Sequence, residues 1–321
     1  YRHSDIPEVG MMRLLDLFLS LGLLAILLAT SGCDSGRGRS ADLKNRQKGI
    51  TEKNGPLHVA VSLSPHAWIT SAIGGDLLVV EPLLPAGDSP ETWNPDDQAL
   101  AVLARADLIV INGGMLEKWS QRVSLPFSTL DLSRTIRSHW LEYPGVVTHS
   151  HGPEGERSYE GTDGHFWLDP DLLLQQGEAI LARLIQMLPT EESRLVAQWN
   201  PIKKRIEDWA TRWKSLALKE EKSIWVTEPS WGYLMDRLSQ TMKVVSPANN
   251  LEWLSELGGE SSGFLLWRET PPDSWQQKIE ELGFLNVVWS PAESLGLEYS
   301  LYPELQEKGL LSLENALQSQ P

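Results

Sequence analysis

The chain holds one cysteine among its 321 residues, Cys33, so no internal disulfide can brace the fold and no thiolate cluster can hold a metal. Basic residues are also short: 28 Lys and Arg stand against 43 Asp and Glu, a formal net charge of -15. A nucleic-acid partner needs a basic face that neutralises phosphates, so this balance argues against one. Neither the His-Glu-x-x-His of zinc proteases nor a phosphate-cradling glycine loop occurs, which leaves hydrolytic metal chemistry without a signature. Charged residues at 22% and hydrophobic residues at 41% are those of a folded protein, and the length allows two lobes or one large domain.

What is present begins with an address. Met11, Met12 and Arg13 lead into the apolar run LLDLFLSLGLLAILLAT, which is followed by SGCDSGRGRS. The run is short for a membrane span, and Ser31 and Gly32 before Cys33 supply the small residues that a lipoprotein signal peptidase requires. Cys33 is therefore expected to carry a lipid anchor, holding an exported protein to a membrane facing the periplasm or cell surface. An ordinary cleaved signal with an incidental cysteine is the competing reading; Asp16 and Thr30 both depart from the usual lipoprotein pattern. Residues 1–33 thus read as an upstream mis-start plus signal peptide and lipobox, and the polar residues 34–56 as a flexible tether.

The rest alternates between two periodicities. LHVAVSL, DLLVVEPLL and DLIVING read as strands, separated by the helical SPHAWITSAIGG and NPDDQALAVLARA, with Ser64 and Asn94 as caps before Pro65 and Pro95. The rhythm returns in SIWVTEP, MKVVSP, GFLLWRE and FLNVVWSP, with helices between and after them. Apolar strands separated by amphipathic helices imply an α/β fold with parallel sheets covered on both faces. We expect two such lobes, residues 57–189 and 220–321, joined by a long linker helix over 190–219, with a kink or break at Pro201. Most of the fourteen tryptophans sit at amphipathic spacing and read as packing mass.

Ligands of such folds bind at the carboxyl ends of the strands. The residues there are Glu91, Glu228, Ser290 and Glu293, with His165 in DGHFWLDPDL after a glycine turn. Oxygen and nitrogen donors without thiolate suit a divalent ion such as Mn, Fe or Zn. From spacing alone, helix caps and surface acids at loop starts account for the same residues better than a metal site does.

Three stretches go further. LLPAGDSPETWNPDDQALAVLARADLIVINGGMLEKW, GHFWLDPDL and VTEPSWGYLMDRL resemble, in order and spacing, the metal-specific solute-binding proteins of bacterial ABC importers, the zinc and manganese family. The resemblance runs from about Leu57 to the C-terminus. It implies one divalent ion (zinc, manganese or iron) held in a metal cleft between the lobes as transported ligand, and delivery to an ABC permease with its ATPase subunits. Carried across by position, the four family ligands fall on Glu91, His165, Glu228 and Ser290, of which His165 and Glu228 match a family ligand type directly. Ser290 is a poor neutral donor, so Glu293 or a water is the alternative fourth ligand; His66, at the first helix start, is either a spare ligand or a surface histidine.

The stretch 148–165, with His149 and His151, lies where zinc-type members carry a His-rich loop, and reads as a cation-collecting loop or a disordered polar insertion. Two other functions compete. One is a divergent member that has lost tight metal binding and takes another small ligand or a protein partner. The other is a metal-dependent hydrolase with Glu228 as general base, which has no motif behind it.

Overall fold

The computed structural model describes residues 55–143, 145, 147–150, 156–216, 223–248, 251–259 and 262–319. Cys33, the apolar leader and nearly all of the expected tether lie outside them, as do His151 and Glu154. Among the described residues, no helix is long and apolar enough to cross a membrane.

A first sheet is built from β1 (Leu57–Val61), β2 (Leu78–Pro82), β3 (Leu108–Ile111) and β4 (Thr129–Asp131), in the order β2-β1-β3-β4 and parallel throughout. Every residue of β3 is buried, as expected of a strand covered on both faces. Helix α1 (Ser64–Gly74) returns the chain from β1 to β2, and α2 (Asp97–Arg105) leads into β3. Two caps differ from expectation. The side chain of Asp96, not Asn94, accepts the Ala99 N–H at 2.8 Å and so starts α2. Ser64 makes no cap bond; its hydroxyl accepts the Leu295 N–H at 2.7 Å, far along the chain.

Beyond β4 the chain forms the antiparallel hairpin β5 (Val147–Ser150) and β6 (Glu156–Tyr159). The reading of 148–165 as a disordered insertion is therefore too simple, because Glu142 and Thr162 already pair across its base and bring the two arms into register.

Two long helices follow, α3 (Pro170–Met187) and α4 (Glu192–Ser215). Asp169 caps α3, accepting the N–H groups of Asp171 and Leu172, with Pro170 in the first turn where its missing N–H costs nothing. Helix α4 continues through Pro201 rather than dividing in two. Its buried row, Leu195, Trp199, Ile202, Ile206, Trp209 and Trp213, recurs every three or four residues. Trp209 meets Trp68 of α1 with ring centroids 6.0 Å apart, and Trp213 meets Trp289 edge-on at 6.0 Å. Such pairs contribute about 0.5–1.5 kcal/mol each beyond their buried area, so α4 adheres to both sheets' layers through its tryptophans.

The second sheet comprises β7 (Ser223–Val226), β8 (Lys243–Val244), β9 (Gly263–Trp267) and β10 (Phe284–Val288), in the order β10-β9-β7-β8 and again parallel. Helices α5 (Gly232–Arg237), α6 (Asp273–Glu281) and α7 (Tyr302–Gln318) complete it. Central β9 is buried at all five positions, and its two neighbours, β7 and β10, point the same way. The chain segments just past these three strands therefore emerge side by side.

Candidate metal centre

The first half contributes an imidazole and a carboxylate. His165 is buried, and its Nδ1 donates to Asp163 Oδ1 at 2.8 Å, the same oxygen that accepts the His165 backbone N–H at 3.0 Å. With the proton on Nδ1, the lone pair of Nε2 is free to bind an ion, and it stands 3.6 Å from Glu91 Oε1. The other oxygen of Glu91 accepts from the Ser89 hydroxyl. Burial alone would push the His165 pKa down; the hydrogen bond and charge of Asp163, with the charges of Glu91 and Glu293, outweigh it and hold the imidazole above its ordinary value.

Asp163 is itself fixed from several sides. The Tyr143 hydroxyl donates to Oδ1 at 3.3 Å, and the backbone of residues 141–143 pairs with that of 161–163. Tyr233 of α5 donates its hydroxyl to the Asp163 carbonyl at 3.2 Å and accepts the Leu141 N–H at 3.2 Å. A Cβ on the neighbouring Gly232 would lie 2.1 Å from Asp163 Oδ2, so only glycine lets the carboxylate sit there. The Gly-Tyr pair of the SWGYLMDRL stretch thus supports the histidine from the other half of the sequence.

Behind His165 runs a second buried network. Asn112, just past β3, donates to the Gly164 carbonyl at 2.9 Å, while its own N–H and that of Gly113 donate to Glu117 at 2.8 and 2.9 Å. Burial pushes the Glu117 carboxyl up to about 7, against the hydrogen-bond donors, the Ser62 hydroxyl first among them, that favour its ionised form.

The second half contributes two carboxylates and a guanidinium. Glu228 follows β7, Arg268 follows β9 directly, and Glu293 lies in the loop beyond β10. Arg268 donates from Nη1 to Glu228 Oε2 at 3.1 Å and from Nη2 to Glu293 Oε1 at 2.5 Å. Glu293 is only 4% exposed, and its Oε2 is buried with no hydrogen-bond partner. Its loop is tied to the first half: Ser64 N–H donates to the Glu293 carbonyl, Gly87 N–H to the Ser294 carbonyl and Trp167 Nε1 to the Pro291 carbonyl, all at 2.9–3.0 Å. Burial raises the Glu228 pKa, with the positive charge of Arg268 opposing it.

The expected residues are thus brought together as two pairs, Glu91 with His165 and Glu228 with Glu293 through Arg268. Among the described residues, no three His, Cys, Asp or Glu side chains are arranged as they stand to hold one ion. Ser290 Oγ accepts the Ala292 N–H at 3.2 Å. His66 is not at the surface; it is buried against Gln176 at 3.1 Å, and burial lowers its pKa to about 4. Glu91 also borders a cavity of about 1020 Å³, lined further by Met115, Lys118, Arg122, Tyr143 and Tyr159. The string Gly-Glu-Ser-Ser-Gly at 259–263 has the Gly-x-Ser-x-Gly spacing of a nucleophile elbow, yet the residues described after it form strand β9 and not the helix that an elbow opens.

Sequence reasoning missed Asp163, Tyr143, Tyr233 and Arg268 as parts of this arrangement. For Arg268 a signal existed: it stands at a strand's carboxyl end, as Glu228 nearly does.

The profile of the family described as zinc-uptake complex component A, periplasmic (ZnuA), matches residues 59–255, more than half of the chain. The chain belongs to this family. Within it, the chain is similar to the manganese-binding lipoprotein MntA of Halalkalibacterium halodurans, 23% identical over 67% of this chain and 65% of the relative. It is also similar to the high-affinity zinc uptake system protein ZnuA of Bacillus subtilis, 26% identical over 65% of this chain and 64% of the relative. The chain so spans just under two thirds of the length of these relatives. In fold it resembles the Zn(II)-bound ZnuA-like domain of Streptococcus pneumoniae AdcA, with a TM-score of 0.66 at 19% identity over 83% of this chain and 100% of that one. The Mn2+ complex of FpvC from Pseudomonas aeruginosa is likewise similar, with a TM-score of 0.61 at 18% identity over 82% of this chain and 98% of that one. The α/β architecture of two parallel four-stranded sheets is the one these relatives share.

Proposed function

We propose that the chain is the substrate-binding component of an ABC importer, capturing a divalent metal ion outside the cytoplasmic membrane and releasing it to a permease. The observation that carries this reading is His165: Asp163 fixes its tautomer so that Nε2 faces Glu91, and the charges of Glu91 and Glu293 both act on the imidazole. A carboxylate oxygen of Glu293, buried and without a partner, favours a cation as its occupant, because an unpaired buried acceptor is costly. The relatives' names, a manganese-binding lipoprotein and a zinc uptake protein, support the same substrate class. No bond is made or broken in such a role.

The two pairs belong to different sheets, so an ion that drew ligands from both would pull the halves together, a closure the permease can read. Three carboxylates and one imidazole form a harder donor set than histidine-rich sites, which favours manganese or ferrous iron over zinc. Export and a lipid anchor at Cys33 complete this reading. Elemental analysis of protein taken from its own periplasm or cell surface tests it, together with Glu91→Ala and His165→Ala: loss of bound metal in both variants supports the centre, and retention in both moves it elsewhere. A second reading, a member that has lost tight metal binding, is favoured by one observation, the guanidinium already paired with two of the proposed ligands.

A further inference from the structure

Arg268 is not a metal donor, yet it occupies the middle of the second half-site. It leaves the carboxyl end of central β9, with Glu228 past one neighbouring strand and Glu293 past the other. Parallel strands run about 4.8 Å apart. A planar guanidinium set between them can therefore address a carboxylate on each side, one N–H group to each, which a lysine ammonium cannot do with the same fixed fork. Arg268 takes one oxygen from each acid, Glu228 Oε2 and Glu293 Oε1. Its side chain is 27% exposed, against 15% for Glu228 and 5% for Glu293, so the cation sits nearer the open side than the acids it holds.

The charge count gives this position a meaning. Glu91, Glu228 and Glu293 bring three negative charges to the two half-sites, and His165 ligates only as a neutral group. Arg268 reduces the total to two, which one divalent ion neutralises. We infer that Arg268 is a resident competing cation: it holds Glu228 and Glu293 ready in the unloaded protein and competes with the incoming metal for their carboxylates, weakening its binding and easing its release. This rests on the metal-capture reading above. The guanidinium is always charged, so the competition is built into the site at any working pH.

The test is calorimetric titration of the metal-stripped full chain with Mn2+ and, separately, Zn2+, for the wild type, Arg268→Gln and Arg268→Lys. The glutamine variant, without the competing charge, is expected to bind each ion at least tenfold tighter than the wild type and to release it correspondingly more slowly. The lysine variant, which keeps the charge but loses the fork, is expected to fall between the two. It decides the matter by itself if the melting curve of the glutamine variant shows it to be unfolded. A wild type that binds metal while the folded variants bind no tighter overturns the inference and leaves the metal-capture reading standing. Binding by Arg268→Gln alone supports the competition and overturns capture by the natural chain. Absence of binding in all three overturns both.

Discussion

Replacing Glu117 by glutamine should change the pH dependence of stability in a way that no surface substitution does. Glu117 is 2% exposed, accepts the N–H groups of Asn112 and Gly113 and the Ser62 hydroxyl, and is raised by burial from 4.5 to about 7. The folded protein thus holds a proton on this carboxyl more tightly than the unfolded chain does. Its contribution is fully present below pH 4.5 and is lost as pH rises through about 7. At about 1.36 kcal/mol per pH unit, the loss between pH 5 and pH 8 is about 2–3 kcal/mol, a large share of a typical domain stability of about 5–15 kcal/mol. Glu117→Gln cannot ionise, and its amide group turns an N–H donor toward the N–H of Asn112 or Gly113, so it starts less stable in acid. The gap to the wild type should then close by about 2–3 kcal/mol as pH rises to 8. Asp169, Glu228 and His165 also have raised values, but both proteins carry them and their slopes cancel in the difference. Urea unfolding followed by tryptophan fluorescence at pH 5, 6, 7 and 8 measures it. Parallel stability curves for the two proteins, within about 0.5 kcal/mol, would refute the buried, proton-holding carboxyl.

Three further outcomes are expected. Asp163→Ala should weaken metal binding by about 10–100-fold by releasing the His165 ring, and Gly232→Ala should do the same through the side chain it would push aside, 2.1 Å from the new Cβ. A titration in which either variant binds like the wild type contradicts the bracing of His165. Gly177→Ala should cost about 1–3 kcal/mol of stability without changing metal stoichiometry, because its Cβ would lie 2.3 Å from Trp199 where α3 packs on α4; urea midpoints at fixed pH test this. Metal affinity should decline as pH falls through a value above 6.5, the ordinary histidine value, since the raised pKa of His165 protonates the ligand early. Asp163→Asn should move that midpoint down, and an unmoved midpoint would assign the titration to another group.

The positions of the strands and long helices along the chain were readable because they depend on local periodicity; the order of the strands within each sheet was not. Continuous apolar runs such as LIVI and GFLLW allow little besides a strand covered on both faces. Caps were less readable: Ser64 had the right residue type for a cap, but its hydroxyl serves Leu295, which is 231 residues away in sequence. Pro201 was expected to disturb α4, yet the buried tryptophans on either side hold the helix together. Of the proposed centre, Glu91, His165, Glu228 and Glu293 were singled out by asking which donors follow strands. Arg268 escaped that question because an arginine donates hydrogen bonds and ligates nothing. Asp163 and Tyr233 escaped because their contact joins residues 70 apart, and only the docking of α5 beneath the Asp163 segment reveals it.

The central claim is that one ion unites the two half-sites. Crystals of the protein grown with Mn2+, and separately with Zn2+, would show by anomalous scattering at the metal's absorption edge where the ion lies. A single peak within bonding distance of His165 Nε2, Glu91 and at least one of Glu228 and Glu293, with Arg268 drawn off that carboxylate, is the result expected. An ion bound elsewhere, or a peak touching only one pair while the Arg268 bridge stays whole, would contradict it.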